Sequence, residues 1–186
     1  MGTVIVIAFS TLDGFASDPD GALGTPGGGW AFRTGPRAVA DDKFRLGAAM
    51  ETGVMLLGRG TWQLFAARWP GRTGPFADRM NAMAKLVASR SLTDVSGWAN
   101  SSLLDGDLTA AVKQRRDRQD VVVAGSLSVV HTLIAADLVD EYRLLVFPAV
   151  VGEGERLFEG RACTDLSLAS AQDAGPAVLL VYSRAA

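Results

Sequence analysis

The sequence predicts an α/β protein with one mixed, mostly parallel sheet, and three observations carry that expectation. Short apolar runs of strand length alternate with segments whose apolar residues recur at helical spacing. Runs such as Val54-Met55-Leu56-Leu57 are apolar throughout, as buried strands of a parallel sheet are. The last two runs follow one another without a helical stretch, which makes them an antiparallel pair.

Val4 to Phe9 reads as the first buried strand and runs into Asp13-Gly14. Residues from Ser17 to Pro36 are irregular, with Gly27-Gly28-Gly29 at their centre, and Gly24 to Gly29 are expected to form a mobile loop. Val39, Leu46 and Met50 then recur at helical spacing and predict a helix leading into the strand Val54 to Leu57. Thr61 to Ala67 and Phe76 to Met83 predict short helices, and Lys85 to Ala88 a further strand. Asp105 or Gly106 is expected to open a helix with Leu108, Ala111 and Val112 inward, before the strand Asp120 to Val123. Leu127, Val130 and Ile134 share one face of a helix that closes at Asp137. Tyr142 to Phe147 predicts a long strand stopped by Pro148, and Leu166 to Ala169 and Val178 to Tyr182 supply the terminal pair.

Composition narrows the function. The chain has 186 residues, of which 48% are hydrophobic and 20% charged, and this fits one compact domain. A formal net charge of −2 leaves little field to attract a phosphate backbone, so nucleic acid is not an expected partner. Lys113-Gln114-Arg115-Arg116 reads as the solvated face of a helix. Cys163 is the only cysteine, which excludes an internal disulfide and a thiolate metal site and fits a reducing, cytoplasmic setting. No apolar run is long enough to span a bilayer, and Val6 stands where a myristoylation signal needs Ser or Thr, so no membrane association is expected.

Ligands of open α/β sheets sit beyond the carboxyl ends of the strands, and three such places hold suitable chemistry. Gly58-Arg59-Gly60-Thr61 offers close backbone approach, a guanidinium and the free amides of a helix start, the outline of a phosphate site. Ser89-Arg90-Ser91 groups hydroxyls with a guanidinium, as suits a phosphate monoester. Gly125-Ser126-Leu127 joins strand to helix and can set a pyrophosphate on backbone amides. Each can equally be a turn, and none is the G-x-G-x-x-G of a Rossmann domain.

These residues, with Ser10 to Ala16, Leu57 to Trp62, Val87 to Leu92, Leu138 to Leu144, Pro148 and Gly152, resemble the dihydrofolate-reductase-like superfamily over nearly the whole chain. The resemblance is to the branch holding the C-terminal reductase domain of bifunctional riboflavin-biosynthesis proteins, and a stand-alone form without the deaminase domain is expected. It implies a three-layer fold with helices on both faces of the sheet, and NADPH as cofactor. Arg59 and Thr61, with Gly58, would lie near the cofactor phosphates, Ser89 and Arg90 near the 2′-phosphate, and Gly125, Ser126 and Leu127 under the pyrophosphate. Ala8 and Asp13-Gly14 would border the nicotinamide, and the strands from Tyr142 onward would pair two chains as a homodimer. Asp13 matches the first-loop aspartate that acts on a ribose-derived substrate, whereas dihydrofolate reductases hold a carboxylate on the following helix, for which Asp41 and Asp42 are the candidates.

The expected activity is therefore NADPH-dependent hydride transfer to a small heterocyclic or sugar-derived carbonyl or imine. The alternatives are binding of a nucleotide or pterin-like ligand without turnover, and a purely structural dimer. Asp13 is read both as a turn residue and as the group that orients or protonates substrate. Trp30 and Phe32 either stack on a planar substrate or pack the loop onto the domain. Trp62, Phe65 and Trp69, spaced along one helix, read as core. His131 reads as a helix-surface or partly buried residue, and Cys163 near Arg161 as a spectator thiol.

Overall fold

A computed structural model describes residues 1–159 and 165–185. Arg161 and Cys163 lie outside the described residues. The chain forms two compact units interleaved in sequence: Met1–Val6 with Leu46–Val139, and Ile7–Arg45 with the described residues from Asp140 onward.

The first unit is a parallel sheet ordered β4-β3-β2-β5-β1, from Ser101–Leu103 (β4), Ala84–Ala88 (β3), Val54–Gly58 (β2), Val121–Val123 (β5) and the start of Val4–Thr11 (β1). Val54, Met55 and Leu56 pair with Val121, Val122 and Val123, and Val4, Ile5 and Val6 with the same three from the other side. The three β5 valines expose no surface, which is why these strands are apolar on both faces. Five helices belong to this unit: α1 (Ala49–Thr52), α2 (Arg59–Ala66), α3 (Pro75–Ala82), α4 (Leu108–Arg116) and α5 (Leu127–Ala135).

In the second unit the rest of β1 adjoins Glu141–Phe147 (β6), followed by Val178–Arg184 (β8) and Leu166–Asp173 (β7) at the edge. β8 runs antiparallel to both neighbours, with Leu144 opposite Leu180 and Leu168 opposite Tyr182, and a bulge separates Leu168 from Ser170. Trp30, Leu145, Phe147 and Leu179 centre its core. Phe9 stacks on Phe44 at 5.4 Å between ring centroids and meets Phe147 edge-on at 5.5 Å. Fold class is thus as expected: the eight-stranded, mostly parallel sheet and antiparallel terminal strands of the dihydrofolate-reductase-like fold.

Four local expectations are corrected. The helix predicted through Val39, Leu46 and Met50 does not form. Pro36–Val39 makes a 3₁₀ turn, φ is positive at Asp41 (61°), Arg45 (52°) and Gly47 (54°), and only the single turn of α1 follows. Arg143 accounts for this: its Nη1 donates to the carbonyls of Phe44 and Arg45, taking acceptors that a helix needs for itself. Asp107 rather than Asp105 or Gly106 caps α4, accepting from Ala110 N at 2.9 Å. The buried face of α5 is Val129, Val130 and Leu133, rotated from the expected Leu127, Val130 and Ile134. β4, short and partly polar, was not foreseen; it lines the sheet edge through Lys85–Ser101 and Leu86–Ser102 pairing.

The glycine-rich loop is bonded on two sides by side chains. The buried Asp18 carboxylate accepts from Leu23 N at 2.9 Å, Thr25 N at 2.9 Å and Thr25 Oγ1 at 2.7 Å. Arg33 closes its far side on the Gly27 carbonyl at 2.7 Å. The expected core reading of Trp62 agrees with its burial, and His131 is half-buried on α5.

Candidate functional site

The three strand ends singled out from sequence all belong to the first unit. Gly58 ends β2 and caps α2 without a side-chain hydrogen bond, and Ser126 does the same for α5. The two helix starts are fastened together, because Gly58 N donates to the Gly125 carbonyl at 2.7 Å. A Cβ on Gly58 would strike Ser126 Oγ and lie 2.9 Å from Ser126 N. A Cβ on Gly125, whose φ is +115°, would lie 3.0 Å from Thr61 Oγ1. Both positions therefore require glycine, one for close approach and the other for backbone conformation as well.

The result is a cradle in which two helices begin side by side. Each leaves its first-turn amides without intrahelical acceptors and places a partial positive charge at the same spot. Ser126 Oγ shares a hydrogen bond with Ser128 Oγ at 2.9 Å. Arg59, first residue of α2, is exposed and forms no hydrogen bond or ion pair among the described residues. After β3, Ser89 Oγ accepts from Leu92 N at 2.9 Å and Ser91 N at 3.2 Å. Ser89 thus shapes the turn, and the exposed Arg90 at its tip has no partner among the described residues. Glycines, uncapped amides and two uncommitted guanidiniums fit a polyanionic ligand with a close-fitting pyrophosphate.

The remaining candidates lie in the second unit. Ala8 is half-buried on β1, and Gly14, with φ +85°, makes the turn after it. The Asp13 carboxylate holds three donors: Thr11 Oγ1 donates to Oδ1 at 2.6 Å, and the amides of Val151 and Gly152 donate to Oδ2 at 3.1 and 2.9 Å. The Thr11 hydroxyl is the largest influence on its pKa, and with the amides it outweighs desolvation, the second largest, and holds the carboxyl below its ordinary value. Arg156 donates to the Asp13 carbonyl at 2.6 Å. Trp30 is buried, edge-on to Phe147 at 5.6 Å, and donates Nε1 to the Ser17 carbonyl at 3.1 Å, which is the packing alternative for that residue. Phe32 remains 39% exposed and is free to meet a ligand. A groove of about 410 Å³ runs between the glycine loop and the segment after β6, lined by Leu23, Pro26, Trp30, Val151, Glu153 and Glu155 among others.

Asp41 and Asp42 border a separate open groove of about 440 Å³ with Lys43, Arg45 and Asp173, on the irregular segment instead of a helix. No role was foreseen for Thr11, Val151 or Arg156; the sequence signals near them were the Ser10 to Ala16 segment, which holds Thr11, and Pro148 followed by Gly152. Among the described residues, no group of three or more His, Cys, Asp or Glu is placed to hold a metal ion, and no helix is long and apolar enough to cross a membrane.

Comparison with known proteins agrees with the fold. A model of the RibD C-terminal domain matches residues 2–180. The uncharacterized protein YyaP of Bacillus subtilis (strain 168) is 25% identical over 156 residues, spanning 80% of this chain and 76% of its own. The crystal structure of a candidate riboflavin biosynthesis protein from Shewanella sp. PV-4 superposes with a TM-score of 0.75 at 20% identity, over 99% of both chains. A pyrimidine reductase-like protein from Corynebacterium diphtheriae superposes with a TM-score of 0.64 at 12% identity, over 100% of this chain and 92% of the other.

Proposed function

Because the chain belongs to the RibD C-terminal domain family, we propose that it is a reductase that uses NADPH to reduce a small heterocyclic or sugar-derived carbonyl or imine. The observation that carries this reading is the first-unit cradle: two uncapped helix starts joined through Gly58 and Gly125, with Arg59 and Arg90 uncommitted beside them. NADPH, when bound, supplies the hydride, and the protein's part is binding, orientation and electrostatics. Gly58, Thr61, Gly125, Ser126 and Leu127 would receive the pyrophosphate and Arg59 would neutralise it. Arg90, presented by the Ser89 turn, would distinguish NADPH from NADH through the 2′-phosphate. Ala8, Asp13 and Gly14 would border the nicotinamide and substrate, with Phe32 and the groove beside Trp30 available to a small planar body.

Calorimetric titration with NADPH and NADH tests the reading. Binding that requires the 2′-phosphate and weakens in Arg90→Ala is the expected result. Absence of binding to either dinucleotide by folded protein would overturn it.

One observation favours a second reading, a ligand-binding protein without turnover: the Asp13 carboxylate is committed to three donors, which suits orientation and not proton donation. NADPH consumption against a panel of heterocyclic and sugar carbonyls separates the two. A homodimer is the proposed assembly. The eight-residue edge strand β7 carries no Lys, Arg or Pro to discourage pairing, and leaves Leu168 57% exposed. Sedimentation should give a dimer that Leu168→Lys dissociates.

A further inference from the structure

In the second unit, the turn after β1 and the segment after β6 are laced together through the main chain. Leu12 N donates to the Ala149 carbonyl at 2.8 Å, Ala16 N to that of Glu155 at 2.9 Å, and Glu155 N to Ser17 Oγ at 3.0 Å. Within this lacing the Asp13 carboxylate sits on the consecutive amides of Val151 and Gly152, a small anion-binding concavity of the backbone. The opposite side of the same turn is held by Arg156. Its Nη1 donates to the Asp13 carbonyl, and its Cζ lies 4.2 Å from the centroid of the Phe15 ring.

Phe15 is only 5% exposed, so the guanidinium stacks on a fixed plane and its direction is set. Gly14 makes room for it: a Cβ there would lie 3.3 Å from Nη1. Arg156 is also fixed through its backbone, by a bridge to Phe15 and by its amide donating to Glu159 Oε1 at 2.8 Å. One arginine thus clamps the carbonyl of the residue whose carboxylate is gripped from the other side.

We infer that Arg156 is a positioning residue of the substrate side of the site: holding the Asp13–Gly14 turn by its carbonyl keeps the Asp13 carboxylate seated on the Val151 and Gly152 amides, as a fixed acceptor for a donor group of the substrate. A carboxylate has about four acceptor positions, and three donors are already in place, so one position remains to read a substrate N–H or O–H. A lysine could donate to the same carbonyl but could not stack its plane on Phe15, so the site specifies arginine. The inference rests on the proposal that Asp13 borders the substrate, whereas its test does not depend on turnover.

The experiment compares wild type, Arg156→Ala and Arg156→Lys in the full chain. It follows amide hydrogen exchange at Val151 and Gly152, the carboxyl titration of Asp13 by ¹³C NMR, and NADPH and NADH affinity by calorimetry. Glu153, Glu155 and Glu159 are the other carboxylates on the same segment, and the Asp13 signal is assigned apart from theirs. Arg156→Ala should speed exchange at both amides on the order of tenfold and move the Asp13 midpoint up toward the ordinary carboxylate value. The preference for NADPH over NADH, set at Arg90, should be unchanged, and Arg156→Lys should fall between wild type and Arg156→Ala in both readouts. Unchanged exchange and unchanged titration in Arg156→Ala would overturn the inference. If that variant does not fold, Arg156→Lys decides: partial loosening supports the role, and wild-type behaviour in both readouts overturns it. Failure of wild type to bind NADPH would sink the reductase proposal and leave these two readouts to judge Arg156.

Discussion

Gly58 N lies 2.7 Å from the carbonyl oxygen of Gly125, and this one bond fastens the starts of α2 and α5 to each other. A methyl group at Gly58 would meet both the hydroxyl and the amide of Ser126. Gly58→Ala is therefore expected to destabilise the chain by about 1–3 kcal/mol through overpacking and to weaken NADPH binding more than tenfold. Urea denaturation and calorimetry check the two effects, and wild-type affinity in the alanine variant would show that the close approach is dispensable.

The exposed Arg59 side chain, at the first position of α2, has no partner among the described residues, so its removal should affect ligand and not fold. Arg59→Ala is expected to change stability by no more than about 0.5 kcal/mol. Loss of a charge-assisted hydrogen bond of about 1.5–3 kcal/mol should raise the NADPH Kd roughly 10- to 100-fold. The loss should shrink as salt is raised, because part of it is screened charge. Equal loss of stability and affinity would make Arg59 structural.

Asp18 gives the glycine loop a pH-dependent hold. Burial raises its pKa, but the Leu23 amide and the Thr25 hydroxyl and amide outweigh that effect and leave it below the ordinary carboxylate value. A carboxyl whose folded pKa is depressed adds stability above its unfolded pKa of about 3.9, and that stability is lost as pH falls through the folded value. Asp18→Asn should thus cost about 1–3 kcal/mol at pH 7 and far less near pH 2, read as the difference between the two urea midpoints. A gap that does not narrow in acid would contradict the assignment.

Lys85 is the reverse case. It is 1% exposed on β3, and desolvation lowers its pKa from 10.5 to about 8. Its Nζ donates to the carbonyls of Asn81 at 2.7 Å and Ala99 at 3.0 Å and lies 4.3 Å from the Trp98 ring centroid. In the unfolded chain the amine keeps its proton to higher pH, so between about pH 8 and 10.5 the unfolded state binds more protons and this group's contribution to stability rises with pH. The rise is at most about 3 kcal/mol, less whatever the ring and carbonyls return to the charged form. Lys85→Met should remove that rise, and identical pH profiles for the two proteins from pH 8 to 10.5 would refute it.

Much of the framework was legible in the sequence because its signals are local. Val54–Gly58, Val121–Val123 and α2 show themselves by the period of their own apolar residues, and a strand buried on both faces needs no distant partner to be recognised. The two glycine-bearing strand ends were likewise visible, since Gly58 and Gly125 mark their own turns. The fastening between them was not, because it joins residues brought together only by the β2–β5 pairing.

By itself, then, the sequence determined the α/β class, the strands apart from β4, most helices, the antiparallel end of the sheet and the strand ends at Gly58 and Gly125. Tertiary structure alone decided what the polar residues do. Asp13 finds its amide partners 138 and 139 positions away, and Arg143 reaches carbonyls 98 and 99 positions back to unmake a helix whose spacing was otherwise sound. Hydrogen bonds to such distant main-chain groups carry no periodic signal, yet each satisfies a polar group that would otherwise remain unpaired, and this outweighs the modest preference of the local segment.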